Sequence, residues 1–194
     1  MPDTPDDASV SARDRVLDAT VVAAGRVGIA RITVEEVARE AAVSRATVYR
    51  WFPGGRDQLI DEAITFEVGR FLDRVTNAAA GAPDLPTRLE RGLLFAHRAI
   101  EEHAVLQRIL ATEPAGLLPQ LHAMAPLVLD VVRAELTSWF AGAALRPGVD
   151  PAEAADYVAR LFLSFVVNGG SWDLGDPAEV RDLVRTRLLA GVLA

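Results

Sequence analysis

The chain contains no cysteine and no lysine in 194 residues. Lack of cysteine excludes a disulfide scaffold, a thiolate zinc site and a cysteine nucleophile together. Lack of lysine leaves 20 arginines as the cations, against 27 acidic residues, for a formal net charge of −7. No stretch reaches 18 apolar residues without a charge, so no membrane span is expected. The opening MPDTPDDASV carries three acids and neither a cationic nor an apolar segment, so it does not read as a secretory signal. A cytoplasmic location is the default. No G-x-G-x-x-G or P-loop pattern occurs, and Gly54–Gly55 leads to no Lys-Ser or Lys-Thr, so no cofactor is implied.

What is present is apolar and helical. Hydrophobic residues make up 51% of the chain, enough for a substantial core and too many for wholesale disorder. Apolar positions recur every three to four residues with little period-2 alternation, which predicts an all-α protein of about nine helices. Residues 1–9 read as a flexible tail, 10–55 as a small head and 56–194 as a larger body. Helices are expected near 10–27, 33–41, 44–52, 56–80, 87–102, 104–112, 117–143, 152–171 and 177–190. Gly25 and Gly28 weaken the end of the first, and Pro119 and Pro126 predict that the 117–143 helix is kinked or begins late.

The charge is unevenly spread. Residues 11–56 hold eight arginines against five acids, whereas 57–194 hold 12 against 19. A basic head on an acidic body can meet a phosphate backbone with one face despite the negative total.

The sharpest local signal is ITVEEVAREAAVSRATVYRWF, residues 32–52. Thr33 followed by Glu36 fits a capping box that starts one short helix, and Ser44 or a neighbour opens a second. Two such helices bury little alone, but Val34, Val37, Ala38, Val43, Val48 and Phe52 can pack together and against the first helix. That arrangement is a helix-turn-helix, whose second helix enters the major groove. Ser44, Arg45, Thr47, Tyr49 and Arg50 crowd hydrogen-bonding groups into seven residues of this helix. Arg45 can fork onto guanine O6 and N7, and Thr33 offers a hydroxyl at a helix start to a phosphate.

From about Arg13 to Ala63 the chain resembles the TetR family of bacterial transcriptional repressors. The resemblance rests on TVEEVAREAAVSRATVYRWF and on the Arg-Asp-x-Leu segment that opens the fourth helix. It implies an N-terminal DNA-binding head and a divergent helical body that binds a small molecule and forms a homodimer. Carried over, it puts Arg45 and Ala46 near bases, Thr47 on a phosphate, Tyr49 at a near-constant tyrosine position and Arg50 on the same surface. Phe52 becomes the core anchor and Arg56 a phosphate clamp. Three residues rather than two separate Phe52 from that basic residue, enough to move the guanidinium by up to about 3.5 Å.

In the body, Tyr157, Leu161, Phe165 and Trp172 form one apolar stripe, and Val180, Val184 and Leu188 another. With the resemblance, these two last helices are the expected dimer interface. Ligand contacts are expected from Phe95, His97, Arg98, His122, Trp139, Phe140, Phe165 and Asn168, which point to a small hydrophobic or aromatic effector. His97 and Glu101 stand at i and i+4, but no further ligand shares their spacing, so no metal site is expected. The function expected is a homodimeric repressor that occupies a palindromic double-stranded DNA operator and is released by an effector, with the helix from Arg56 as the lever. One alternative keeps the fold but only dimerises. A distant one is a helical enzyme using carboxylate acid–base chemistry.

Overall fold

A computed structural model describes residues 11–194; the tail assigned to residues 1–9 lies outside them. Among the described residues the chain forms nine α-helices: α1 Ala12–Val27, α2 Val34–Glu40, α3 Arg45–Trp51, α4 Gly55–Ala79, α5 Leu85–Glu101, α6 Ala104–Thr112, α7 Pro114–Phe140, α8 Pro151–Val167 and α9 Pro177–Leu183. The expected all-α architecture is the observed one. α7 starts at Pro114, earlier than expected, because proline is tolerated in a first turn where the N–H has no helical partner. α7 is also the one helix among the described residues long and apolar enough to cross a membrane, although it carries Asp130, Arg133 and Glu135.

The chain divides into two compact units. Among the described residues the head unit comprises 11–68 and 104–121. Its core joins Val16, Leu17, Val37, Val48, Phe52 and Leu59 to Ile109 and Leu117. The head thus includes α6 and the start of α7 besides the stretch at the N-terminus. Gly25 explains part of this: a Cβ built there would lie 2.7 Å from Val105 Cγ2, so the missing side chain lets α6 approach α1. Glycine inside a helix costs about 0.5–1 kcal/mol relative to alanine, and here that cost secures a close crossing rather than ending α1.

α2 begins with the capping box read from the sequence. Thr33 Oγ1 accepts the Glu36 N–H at 3.2 Å, and Glu36 Oε2 accepts the Thr33 N–H at 3.2 Å. It ends in a Schellman turn: Val43 N–H donates to Ala38 O at 2.9 Å and Ala42 N–H to Arg39 O at 3.3 Å. Ala42 sits at φ +55°, a left-handed conformation that L-residues other than glycine adopt at some cost. Ser44 then caps α3 by accepting the Thr47 N–H at 3.0 Å.

The body unit comprises residues 69–103 and 122–194. α5, α8 and α9 each start on an aspartate cap with proline at the first or second helical position: Asp84, Asp150 and Asp176. The Asp84 carboxyl is held below its ordinary pKa by the Thr87 side-chain and backbone hydrogen bonds. Leu89, Leu93, Leu136, Phe140, Val158 and Phe162 pack with Val180, Leu183, Val184 and Leu188 into one core. α8 stops at Val167, not at 171, because Asn168 turns extended and its Oδ1 accepts the Gly170 N–H at 2.9 Å. After α9 the helix widens into a π turn over Val184–Leu188, closed by Leu189 N–H on Val184 O at 2.9 Å.

Candidate functional site

The outward side of α3 is the chemically distinctive surface of the head. Ser44, Arg45, Ala46, Tyr49 and Arg50 are exposed, and Thr47 is half-buried. Val48 and Phe52 are fully buried, so the helix divides cleanly into a core face and a polar one. Ser44 Oγ and Thr47 Oγ1 lie 2.9 Å apart, which holds two hydroxyls together at the helix start. The Arg50 guanidinium lies 5.4 Å from the centre of the Trp51 ring. Thr33 is exposed at the start of α2, its hydroxyl donating to Glu36 at 3.0 Å.

Arg45 makes a contact that spacing does not reveal. Its Nη2 lies 2.7 Å from Glu35 Oε1, with both side chains more than half exposed. Such a pair adds about 0–1 kcal/mol to stability, and its carboxylate offsets the Arg45 charge on the outer face of α3. Glu35→Gln is therefore expected to bind a nonspecific duplex several-fold more tightly, with the thermal midpoint unchanged. A salt titration of Kd checks this, since removing a carboxylate from beside Arg45 should move affinity for a polyanion most at low salt.

Arg56, expected from the resemblance as a phosphate clamp, is engaged within the head. Its Nε donates to Ile32 O at 3.1 Å, its Nη2 to Ile29 O at 2.7 Å and its Nη1 to Asp57 Oδ1 at 2.7 Å. The turn Pro53–Gly54–Gly55 aims the side chain back at the loop between α1 and α2, and Gln58 Oε1 secures that turn by accepting the Gly54 N–H at 2.7 Å. Three of the five donors on the guanidinium are thus occupied within the head.

The body contains a cavity of about 360 Å³. Phe71, Val75, Gly92, Leu136, Phe162 and Val166 supply apolar wall. Arg88, Glu135 and Trp139 form its polar corner: the Trp139 Nε1–H donates to Glu135 Oε1 at 3.0 Å, and the Arg88 guanidinium lies 5.5 Å from the Trp139 ring. Of the ligand candidates read from the sequence, only Trp139 lines it. Phe140 is a core side chain, Phe95, His97 and Phe165 are half-buried outside the lining, and Arg98, His122 and Asn168 are exposed. Arg88, Glu135 and Phe162 were missed because no local pattern marks residues gathered from three helices.

The apolar stripes also separate. Val180, Val184 and Leu188 have no exposed surface, because they face α5 and α8 inside the body core. Tyr157 is exposed, Leu161, Phe165 and Trp172 are half-buried, and the neighbouring Val167 is almost fully exposed. Trp172 lies beyond the end of α8, so the Tyr157–Trp172 stripe does not continue along one helix.

Residues 16–63, which run from within α1 through α3 to the start of α4, match the family described as bacterial regulatory proteins, tetR family. The chain has the TetR-family regulator fold. TetR-family repressor AlkX from Dietzia sp. strain DQ12-45-1b is similar over 93% of this chain and 95% of its own, at 20% identity and a TM-score of 0.65. A putative TetR-family transcriptional regulator from Mesorhizobium loti is similar over 97% and 100%, at 17% identity and the same TM-score of 0.65. Salmonella enterica GusR is similar over 97% and 99%, at 20% identity and a TM-score of 0.63. No curated protein matches the sequence. α2 and α3 lie within the matched segment, and the cavity lies outside it in the body unit.

Proposed function

We propose that this TetR-fold regulator is a cytoplasmic homodimeric repressor that occupies a palindromic operator and is released by a small hydrophobic or aromatic effector. The observation that carries the DNA half is the outward face of α3, where two arginines, a tyrosine and paired hydroxyls stand on a helix whose other face is anchored in the core. One such helix makes few base contacts, and a two-fold dimer doubles them over half-sites about 34–36 Å apart. Tyr157 and Val167 give α8 the exposed apolar surface that a dimer would cover.

The effector half rests on the cavity. A body that only dimerised would have a filled interior, whereas about 360 Å³ lies at the small end of ligand sites. Its wall is mainly apolar and aromatic, and Arg88 and Glu135 can orient one polar group. Effector binding weakens the operator complex to the extent that it favours a conformer with lower DNA affinity.

The test is selection of a duplex from a random library by the purified protein, followed by Arg45→Ala. The parent should recover an inverted repeat. The variant should lose about 1–3 kcal/mol of discrimination at one base pair per half-site. Recovery of no duplex, or equal discrimination by the variant, would overturn the assignment. Small aromatic probes such as indole and toluene are then added at saturation, and a Kd that none of them changes counts against an aromatic effector.

A further inference from the structure

Side chains from two other parts of the head converge on the short connection between α1 and α2. Glu113, in the corner between α6 and α7, accepts the Ala30 N–H on Oε2 at 3.0 Å. Its other oxygen, Oε1, fills the space in which a side chain at Gly28 would begin. Gly28 also sits at φ +87°, ψ +156°, a conformation essentially restricted to glycine. Nearby, Arg108 of α6 donates to Arg26 O at 3.3 Å. Arg56 of α4 takes the carbonyls of Ile29 and Ile32. A carboxylate therefore holds an N–H of the 3₁₀ turn Ile29–Arg31, and a guanidinium holds the carbonyls that flank and open it. A three-residue turn has few hydrogen bonds of its own. Thr33, the cap of α2, lies two residues beyond it, and α3 packs on α2.

We propose that Glu113 is a positioning residue for DNA binding. Its carboxylate, admitted by Gly28, fixes the α1–α2 turn and so sets where α2 begins and where α3 presents its outer face. The inference rests on the reading of the head as a DNA binder. Electrostatics makes it separable from a charge effect. Glu113 is an anion, so its removal should by charge alone strengthen binding to a polyanion. A loss of affinity on its removal therefore comes from geometry or from overall stability, which a second variant separates.

The experiment uses the full chain and the duplex that the parent recovers from a random library. Glu113→Ala loses the acceptor, and Glu113→Gln keeps a carbonyl oxygen that can take the Ala30 N–H. Affinity should fall about tenfold in Glu113→Ala, while Glu113→Gln matches or exceeds the parent. Amide hydrogen exchange at Ala30 should quicken at least tenfold in Glu113→Ala and stay near the parental rate in Glu113→Gln. Parental or tighter binding by Glu113→Ala overturns the role. So does an equal loss in both variants, which would mean that Glu113 acts through overall stability and not by holding the Ala30 N–H. If the parent recovers no duplex, the DNA-binding reading fails and takes this role with it, whereas Ala30 exchange still reports whether Glu113 holds the turn.

Discussion

Phe52→Ala is expected to destabilise the head by about 3–5 kcal/mol and to abolish the proposed sequence-specific DNA binding. Phe52 has no exposed surface and closes α3, its N–H donating to Val48 O at 2.8 Å. The Arg13 guanidinium of α1 lies 5.0 Å from the centre of its ring and also pairs with Glu62 of α4. One aromatic side chain thus joins α1, α3 and the start of α4. Truncation would leave a void that these short helices cannot close without moving α3. Domains of this size are stable by only about 5–15 kcal/mol, so the loss is a large share of the total. Thermal unfolding monitored by circular dichroism, with duplex binding measured below the midpoint, checks both effects. A midpoint within 2–3 °C of the parent, roughly 1 kcal/mol or less, would show that α3 is anchored elsewhere.

The second large effect lies in the body. Leu188→Ala is expected to cost about 2–5 kcal/mol, whereas Val167→Ala should stay within about 0.5 kcal/mol. The two residues look alike in sequence, yet Leu188 is fully buried between α5 and α8 and Val167 is almost fully exposed. If α8 presents the dimer surface, Val167→Asp should weaken self-association and leave the monomer's fold intact. Analytical ultracentrifugation read beside the melting curve separates these outcomes. A dimer lost in Leu188→Ala without a fall in midpoint would return the Val180, Val184 and Leu188 face to the interface.

How far the sequence could be read depended on the range of the interactions involved. The helix-turn-helix was legible because its signals are local: Thr33 and Glu36 meet three residues apart and Ser44 caps its own helix, whereas α6, read with the body, packs in the head unit. The anchoring of Arg56 was not, since it depends on carbonyls 24 and 27 residues earlier. Glu113 lies 85 positions from Gly28, and no spacing rule joins them. In the body, an apolar stripe signals burial without naming what covers it. Val180, Val184 and Leu188 are covered by their own chain. The cavity wall draws Phe71, Arg88, Trp139 and Phe162 from α4, α5, α7 and α8, and only the tertiary packing brings them together.

The aspartate–proline starts of α5, α8 and α9 bear on how quickly the body forms. In each, the carboxylate takes an N–H two or three residues ahead at 2.8–3.0 Å, and a nearby proline restricts the backbone before any long-range contact exists. The costly first turn of a helix is eased by neighbours in the chain instead of by partners that must be found. Three of the helices that build the body core can therefore flicker into place in the unfolded ensemble. Refolding is then paced by docking preformed segments, and a temperature-jump trace of the full chain should show a main phase in the microsecond-to-millisecond range of helical proteins with mostly local contacts.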